Sequence, residues 1–271
     1  MSARLSAALA ISLLATASRP LLAQSAVRYT VDMTEGSGRP SQAVVTTAGD
    51  RSRIQPIRKS DDRDDNSGSS YIIVRDGKLY SIDPDKRAYD VINSDEFEQI
   101  VGTALRSVSP MVKMHVDDVT VSAEEVHDAR PILGYATRHF RFTQKYSMRV
   151  SAFGMNADDE STENEVVTDY WVAATAKLPR NPLIELMLSA ATAPAQQNRD
   201  FVRESARVRD SLFTGMPLLA IVRGRERGES TLREKARAEV TRMEKATIDS
   251  TTFSVPAGYT KTSGKGMRFS L

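Results

Sequence analysis

The stretch from Ser69 to Asn93 constrains the fold of this chain most, because three short β-rich runs lie there between two clear turn signals. Asp76-Gly77 is a two-residue hairpin signal, since a type I′ turn needs positive φ at both central positions. Asp83-Pro84 predicts a type I turn, in which the fixed φ of Pro84 suits the second position. The stretch is therefore predicted to form a three-stranded meander, and a Gly77→Val change should cost far more stability than Gly36→Val.

Counting outward from the two turns predicts which residues share a face of the meander. The predicted pairs are Val74 with Leu79, Ile73 with Tyr80, Tyr71 with Ile82, and Tyr80 with Tyr89. One face then carries Tyr71, Ile73, Tyr80, Ile82 and Tyr89, and the other carries Ile72, Val74 and Leu79. Because both faces are apolar, neither can stay fully exposed to water. We expect helices to cover one face, and we expect the sheet to curl so that its other face is also shielded from water.

The first 23 residues have the pattern of a secretory signal peptide. Arg4 precedes the apolar run Leu5 to Ala17, and Leu21-Leu22-Ala23 places a small residue at the cleavage point before Gln24. We therefore expect residues 1–23 to be removed on export to the periplasm and residues 24–271 to form a single domain, a size that all-β folds reach. A retained N-terminal anchor is the alternative. The apolar run is too short to span a membrane, and no later stretch is long enough.

Charge and cysteine content exclude several classes of function. Removing the predicted leader takes away Arg4 and Arg19 and no acidic residue, so 35 basic residues remain against 35 acidic ones. A neutral mature chain does not favour a nucleic acid or an anionic membrane as partner. The chain has no Cys, which excludes a disulfide framework, thiol chemistry and a lipid-bearing N-terminal cysteine.

Beyond the meander, the spacing of apolar residues predicts a mainly β chain with a few helices. Extended segments are predicted at 26–34, 43–47, 51–58, 113–122, 135–150, 166–174, 216–222 and 251–259. The apolar alternation of segment 113–122 changes phase half way, which predicts a bulge or bend at Asp117-Asp118. Pro56 predicts that its strand lies at an edge or contains a bulge.

Three helices are predicted, and a fourth segment is ambiguous. The first follows Asn93, and the second runs from Pro182 to Ala191 with Glu185 as its only charge. The third, around 201–212, carries an arginine-rich exposed face. In Thr231 to Lys245 both the apolar spacing and the residue propensities favour a helix.

Several stretches, taken in order, resemble the DUF4412 family of exported bacterial proteins, within the LolA/LolB-like lipoprotein-carrier superfamily. They are SYIIVRDGKLYSIDPDKRAYDVI, the strand Gly134 to Tyr146, DYWVAA followed by LPRNPL, and EVTRMEKATIDSTTFSVPAGY. The resemblance covers most of the mature chain. It implies a mainly antiparallel β (α+β) fold, a strongly curved LolA-like half-barrel sheet with helices in its concave face. It also implies that residues 231–245 form a strand, against their helical spacing.

The resemblance implies a function for the superfamily but none for the DUF4412 family itself. In the better-known carriers of the superfamily, the cavity holds acyl chains of lipoproteins. DUF4412 itself has no assigned function, so no set of functional residues carries over to this chain.

Motifs for metal binding and catalysis are weak. The histidines His115, His127 and His139 do not form the H-E-x-x-H pattern of zinc enzymes, and Glu124 with His127 is only half of a di-iron motif. His139 is expected on the polar face of its strand, either solvated or hydrogen-bonded. No cofactor, metal site or enzymatic activity is therefore predicted.

Two loops imitate ligand-binding motifs without meeting their requirements. DDRDDNSG lacks the Gly and Glu that a calcium loop needs at its sixth and twelfth positions. GYTKTSGKG has one residue too many for a phosphate loop, and no helix is predicted after it.

Large apolar side chains form the remaining candidate site. We predict that a hydrophobic-ligand cavity is lined by Phe140, Phe142, Trp171, Leu183, Leu186 and Met187. The alternative is that these six residues belong to a filled core.

Two functions follow from these alternatives. The preferred hypothesis is a periplasmic protein that binds a lipid, an acyl chain or another hydrophobic ligand. The second is an envelope protein-protein interaction module with a filled core and no ligand. An enzyme is the least favoured class.

Overall fold

The structure, a computed structural model, describes residues 24–36, 38, 40–57, 70–93, 112–152, 162–175, 178–179, 181–185, 198–212, 215–225 and 230–262. The predicted leader, the helix after Asn93, the DDRDDNSG loop and the second half of the helix from Pro182 lie outside these residues. Among the described residues, no helix is long and apolar enough to cross a bilayer.

Twelve strands, one long α-helix and a short helical segment at residues 182–185, where the predicted second helix begins, make up the regular structure of the described residues. The strands are β1 (Gln24–Glu35), β2 (Ser41–Ala48), β3 (Arg51–Ile57), β4 (Tyr71–Arg75), β5 (Lys78–Asp83), β6 (Ala88–Asn93), β7 (Val112–Val126), β8 (Thr137–Ala152), β9 (Thr162–Ala173), β10 (Met216–Arg225), β11 (Arg233–Ile248) and β12 (Thr260–Lys261). Helix α1 spans Arg199–Leu212, and a 3₁₀-helix spans Ser250–Phe253.

All twelve strands belong to one sheet in the order β12-β6-β5-β4-β3-β2-β1-β11-β10-β9-β8-β7. Every pairing is antiparallel except the short parallel contact between β12 and β6. The sheet does not close, because β7 and β12 lie at its two ends. The predicted class, a mainly antiparallel β fold with few helices, is confirmed.

The strand registers define two faces of the sheet. Face A carries Tyr29 on β1 and Phe140 on β8, whereas face B carries Tyr71 on β4 and His139 on β8. Buried apolar residues cross ten strands on face A: Ile92, Leu79, Ile72, Ile54, Val45, Tyr29, Ala238, Ala220, Tyr170 and Phe140. Face A is therefore the side of the sheet that carries the main hydrophobic core.

The predicted meander is present as β4, β5 and β6. Val74 pairs with Leu79, and both residues of the Asp76-Gly77 turn have positive φ, at 52° and 65°. The two predicted sets of apolar residues lie on opposite faces, with Tyr71 and its set on face B. The first hairpin therefore agrees with the sequence-based prediction in register and in turn type.

The second hairpin differs from its prediction in one respect. Tyr89 pairs with Ile82, and Tyr80 pairs with Val91 instead of Tyr89. The connection is longer than predicted because Arg87 adopts a left-handed conformation with φ of 49° after the turn. This shifts the register by two residues, and an even shift leaves Tyr89 on the predicted face.

The C-terminal segment covers face B of the meander. Phe253, at the end of the 3₁₀-helix, is buried against a cluster that includes Tyr71, Ile73 and Ile82. Arg75 donates a hydrogen bond from Nη1 to the carbonyl oxygen of Phe253 at 3.0 Å. The meander and residues 250–262 thus form a second, smaller core on face B.

Three further predictions about local structure can be compared with the strands. Segment 231–245 is a strand, because β11 pairs with β1 on one side and β10 on the other, and these two ladders outweigh its helical propensity. The bulge predicted at Asp117-Asp118 is confirmed, since β7 gains one residue relative to β8 between Asp117 and Thr120. Pro56 pairs with Ala43 of β2 but lies beyond the part of β3 that pairs with β4, so β3 is an edge strand at this position.

A valine in place of Gly77 should destabilise the protein by about 1–3 kcal/mol, because a β-branched residue is strained at positive φ. Gly36 has φ of 50°, so Gly36→Val should cost a similar amount, and the predicted contrast between the two glycines is wrong. Lys78→Val is the matched control, since it places the same side chain on an exposed strand position one residue away. Urea denaturation measures the difference, and equal midpoints for Gly77→Val and Lys78→Val would contradict the turn.

Candidate functional site

The predicted apolar site lies partly on face A of strand β8. Phe140 and Phe142 are buried there beside Tyr170, which pairs with Phe140 across the sheet. Gln144 continues the same row and is also buried. Two phenylalanine rings and one amide of β8 therefore line this part of face A.

A short apolar segment, residues 181–185, lies against face A. Leu183 and Ile184 are completely buried in the main core. Asn181 anchors the segment, because its Oδ1 accepts a hydrogen bond from the Tyr29 hydroxyl at 3.4 Å and its Nδ2 donates to the carbonyl oxygen of Pro217 at 3.3 Å. Burial, with a smaller contribution from the Glu185 carboxylate, raises the pKa of Tyr29 well above its ordinary value.

Helix α1 covers face A near the β7 end of the sheet. Asn198 caps its N-terminus by accepting from the backbone N–H of Asp200 at 2.9 Å and of Phe201 at 3.1 Å. The Phe201 ring packs edge-on against Tyr146 at a centroid distance of 6.2 Å. The amide Nδ2 of Asn198 also donates to the carbonyl oxygen of Val116 on β7 at 3.0 Å. The helix is therefore fixed to the sheet by both apolar and polar contacts.

The six predicted lining residues are not all brought together. Phe140, Phe142 and Leu183 belong to the core on face A, whereas Leu186 and Met187 lie outside the described residues. Trp171 pairs with His139, so its side chain projects from face B, opposite to Phe140. Ligand binding by these residues stays a prediction, and Trp171 cannot share one cavity face with the two phenylalanines.

Face B carries a buried ionic cluster around Asp169. The carboxylate of Asp169 is 1% exposed and accepts from His139 Nε2 at 2.9 Å and from Arg141 Nε at 2.9 Å. Arg223 on β10 forms a third ion pair with its other oxygen. Strands β8 and β10, on either side of β9, thus direct cationic groups at a single carboxylate.

His139 is the centre of a second set of contacts in this cluster. Its Nδ1 contacts the carboxylate of Asp128, and its ring stacks on Trp171 at a centroid distance of 4.0 Å. The hydrogen bond from His139 lowers the pKa of Asp128. Both ring nitrogens of His139 therefore contact carboxylates, Nδ1 that of Asp128 and Nε2 that of Asp169. Of the two predicted states of His139, the hydrogen-bonded one therefore applies.

Both oxygens of Asp169 are occupied by donors, His139 and Arg141 on one oxygen and Arg223 on the other. His127 is exposed, and the described residues contain no group of three His, Asp or Glu side chains placed to hold a metal ion. Sequence patterns did not reveal the cluster, because its members lie on three strands and one loop that only the register brings together.

Comparison with known proteins assigns no family to this chain. No family model and no curated protein matches the chain. An uncharacterised conserved protein from Thermus thermophilus is similar at 8% identity and a TM-score of 0.37, over 89% of this chain and 91% of that one. A LolA superfamily protein from Nitrosomonas europaea is similar at 7% identity and a TM-score of 0.29, over 87% of this chain and 91% of that one. Neither likeness is strong enough to bear on function, and membership of DUF4412 stays a prediction.

Proposed function

We propose that this chain is an exported periplasmic binding protein that holds a lipid, an acyl chain or another hydrophobic ligand on face A of a half-barrel sheet. The observation that carries the proposal is the continuous apolar surface of face A, which crosses ten strands of an unclosed sheet. A sheet that is wide, unclosed and apolar on one face can hold a ligand between that face and the segments that cover it.

Export is inferred from the leader pattern alone. Arg4, the apolar run Leu5 to Ala17 and the small residue Ala23 supply that pattern. An acyl chain released into the aqueous periplasm needs a protein surface to shield it from water, and face A would provide one.

The ligand would lie between the sheet, residues 181–185 and helix α1. Gln144 donates from Nε2 to Ser205 Oγ at 3.3 Å, while its Oε1 is buried and has no hydrogen-bond partner. A buried acceptor without a donor is uncommon in native proteins. A hydroxyl or amide hydrogen at the polar end of an apolar ligand would satisfy this oxygen.

One observation favours the second candidate, an interaction module with a filled core. Leu183 and Ile184 have no exposed surface, so this part of the space over face A is already packed. The arginine-rich face of α1 is the surface that such a module would use. However, Arg203 and Arg207 on that face already form ion pairs with Asp200 and Glu204, which lowers the net charge available to a partner.

Binding of the fluorescent probe N-phenyl-1-naphthylamine tests the proposal. Val121→Glu should weaken probe binding at least tenfold, because Val121 lies on face A opposite Gln144 and the charge would enter an apolar site. Val121 is only partly buried, so the stability loss should be about 1 kcal/mol. Thr120→Glu is the control, since Thr120 is exposed on face B of the same strand.

The possible outcomes separate the two candidates. Probe binding that falls in Val121→Glu and persists in Thr120→Glu supports the ligand-binding protein. A wild-type protein that binds no probe and no lipid by native mass spectrometry is not a carrier, and the interaction module then replaces it.

A further inference from the structure

A cleft of about 670 Å³ opens on face B, where β1, β2 and β3 meet the start of the C-terminal segment. Its lining is partly cationic and partly apolar, and includes Arg28, Thr46, Arg53, Pro56, Ile57 and Ile248. The volume falls within the range of roughly 300–1,000 Å³ that small-molecule sites occupy. This cleft is separate from the apolar surface of face A.

Two arginines flank a threonine in one row across the cleft floor. Thr46 on β2 pairs with Arg28 on β1 and with Arg53 on β3. Neighbouring strands lie about 4.8 Å apart, so the two arginine backbones are separated by roughly 10 Å. Their guanidinium groups lean away from Thr46, because Arg28 lies 3.7 Å from Glu244 on β11 and Arg53 stacks on Tyr71 of β4. The two arginines therefore mark the two sides of the cleft.

Arg53 is held in place, and no described residue provides it with a counter-ion. Its guanidinium carbon lies 3.8 Å from the centroid of the Tyr71 ring, a stacked cation–π arrangement. Its only side-chain hydrogen bond in the described structure is a long one of 3.4 Å from Nη2 to Gln55, and its buried Nε has no partner. Among the described residues, no carboxylate lies within ion-pair distance of this guanidinium. A positioned guanidinium with unused donors is suited to a carboxylate or a phosphate.

The remaining charges leave the cleft positive. Arg28 is 3.7 Å from Glu244, but Glu244 contacts Arg242 more closely, at 2.8 Å. Asp249 also lines the cleft, and its carboxylate accepts the backbone N–H of Thr251 at 2.7 Å. Two arginines therefore face one carboxylate that already caps the 3₁₀-helix.

An exposed apolar residue adjoins Arg53. Ile57 lies on the same face of β3, lines the cleft and is 40% exposed although it is a large hydrophobic residue. Exposed apolar surface beside a positioned polar group is typical of a small-molecule site.

We propose that the face B cleft binds a small amphiphilic anion, with its carboxylate or phosphate on Arg53 and its hydrocarbon part against Ile57. Both headgroups present oxygen atoms to the guanidinium donors of Arg53, and a single alkyl chain can extend along the same face of β3 to Ile57. The anion also supplies acceptors that no described carboxylate provides to Arg53.

Isothermal titration calorimetry with octanoate and with monooctyl phosphate tests this site. The anion that binds with the higher affinity identifies the headgroup. Octanol, which shares the chain and lacks the charge, should bind at least tenfold more weakly than the better anion. Arg53→Gln should weaken binding of that anion at least tenfold. Arg203→Gln should leave its affinity unchanged, because Arg203 is a 78% exposed arginine on α1, outside the cleft.

If Arg53→Gln fails to fold, a second variant still tests the proposal. Ile57→Glu places a negative charge at the exposed rim of the cleft and should weaken the anion at least fivefold with the fold intact. The proposal is overturned if octanol binds as well as the anions, if neither anion binds wild type, or if Ile57→Glu binds like wild type.

The site on face A can be distinguished from this one. Val121→Glu should leave anion binding unchanged, and Arg53→Gln should leave binding of N-phenyl-1-naphthylamine unchanged. If octanoate binding instead falls in Val121→Glu and persists in Arg53→Gln, the anion occupies face A and the cleft is not its site. Loss of face A binding alone leaves the cleft proposal standing.

Discussion

Replacement of Asp169 by alanine is expected to destabilise the protein by about 3 kcal/mol, near the lower end of the 3–5 kcal/mol typical for breaking a buried ion pair. The loss arises because His139 is buried and would lose the partner of its Nε2, while Arg141 and Arg223 would lose a shared carboxylate. The lower end applies because both arginines keep about a third of their side-chain surface in water. At roughly 2–4 °C per kcal/mol for a chain of this size, the melting temperature should fall by about 6–12 °C.

Asp128→Ala is the matched control for this effect. Asp128 contacts the other nitrogen of the same histidine, but its side chain is 64% exposed. Water screens an exposed ion pair and leaves it little net stabilisation, so this variant should unfold close to wild type. If Asp128→Ala and Asp169→Ala unfold at the same denaturant concentration, the cluster does not stabilise the sheet as its burial indicates.

Phe253→Ala should produce the second large effect, a loss of about 3–5 kcal/mol, the range for removing a buried phenylalanine ring. The ring fills the small core on face B of the meander, and Arg51 lies over it with its guanidinium carbon 5.3 Å from the centroid.

Hydrogen exchange measures where Phe253→Ala destabilises the protein, as well as by how much. Amides of β4, β5 and β6 should exchange faster in Phe253→Ala, while those of β8 and β9, which pack elsewhere, should keep their protection at low denaturant. Val255→Ala is the control, because Val255 is only partly buried beside the same cluster. Uniform loss of protection across the sheet would show that the two cores unfold as one unit.

Local sequence signals predicted the meander because its turns are made by residues with special backbone preferences. Asp76-Gly77 sets the first register without help from distant residues. The second register was missed because the left-handed residue of that turn is Arg87, and arginine gives no sign of positive φ in a sequence. The bulge at Asp117-Asp118 was found because a phase change in apolar alternation is also local.

Features that depend on pairing between distant strands were harder to predict from the sequence. Segment 231–245 has helical spacing, and only its pairing with β1 and β10 makes it a strand. The Asp169 cluster depends on the register of β8 against β9, which places His139 opposite Trp171 and Arg141 opposite Asp169. That same register places Trp171 on the face opposite to Phe140 and Phe142, with which it was grouped.

The covering of face B by the C-terminal segment has a consequence for how the chain folds. Arg75 and Phe253, which meet in the second core, are separated by 178 residues. The meander can form early, since its turns are local, but its apolar face B stays open until the last described residues have been synthesised. Contacts of such long range slow folding, and the open surface favours association between partly folded chains. The strands that pair first are therefore among the last to be shielded from water.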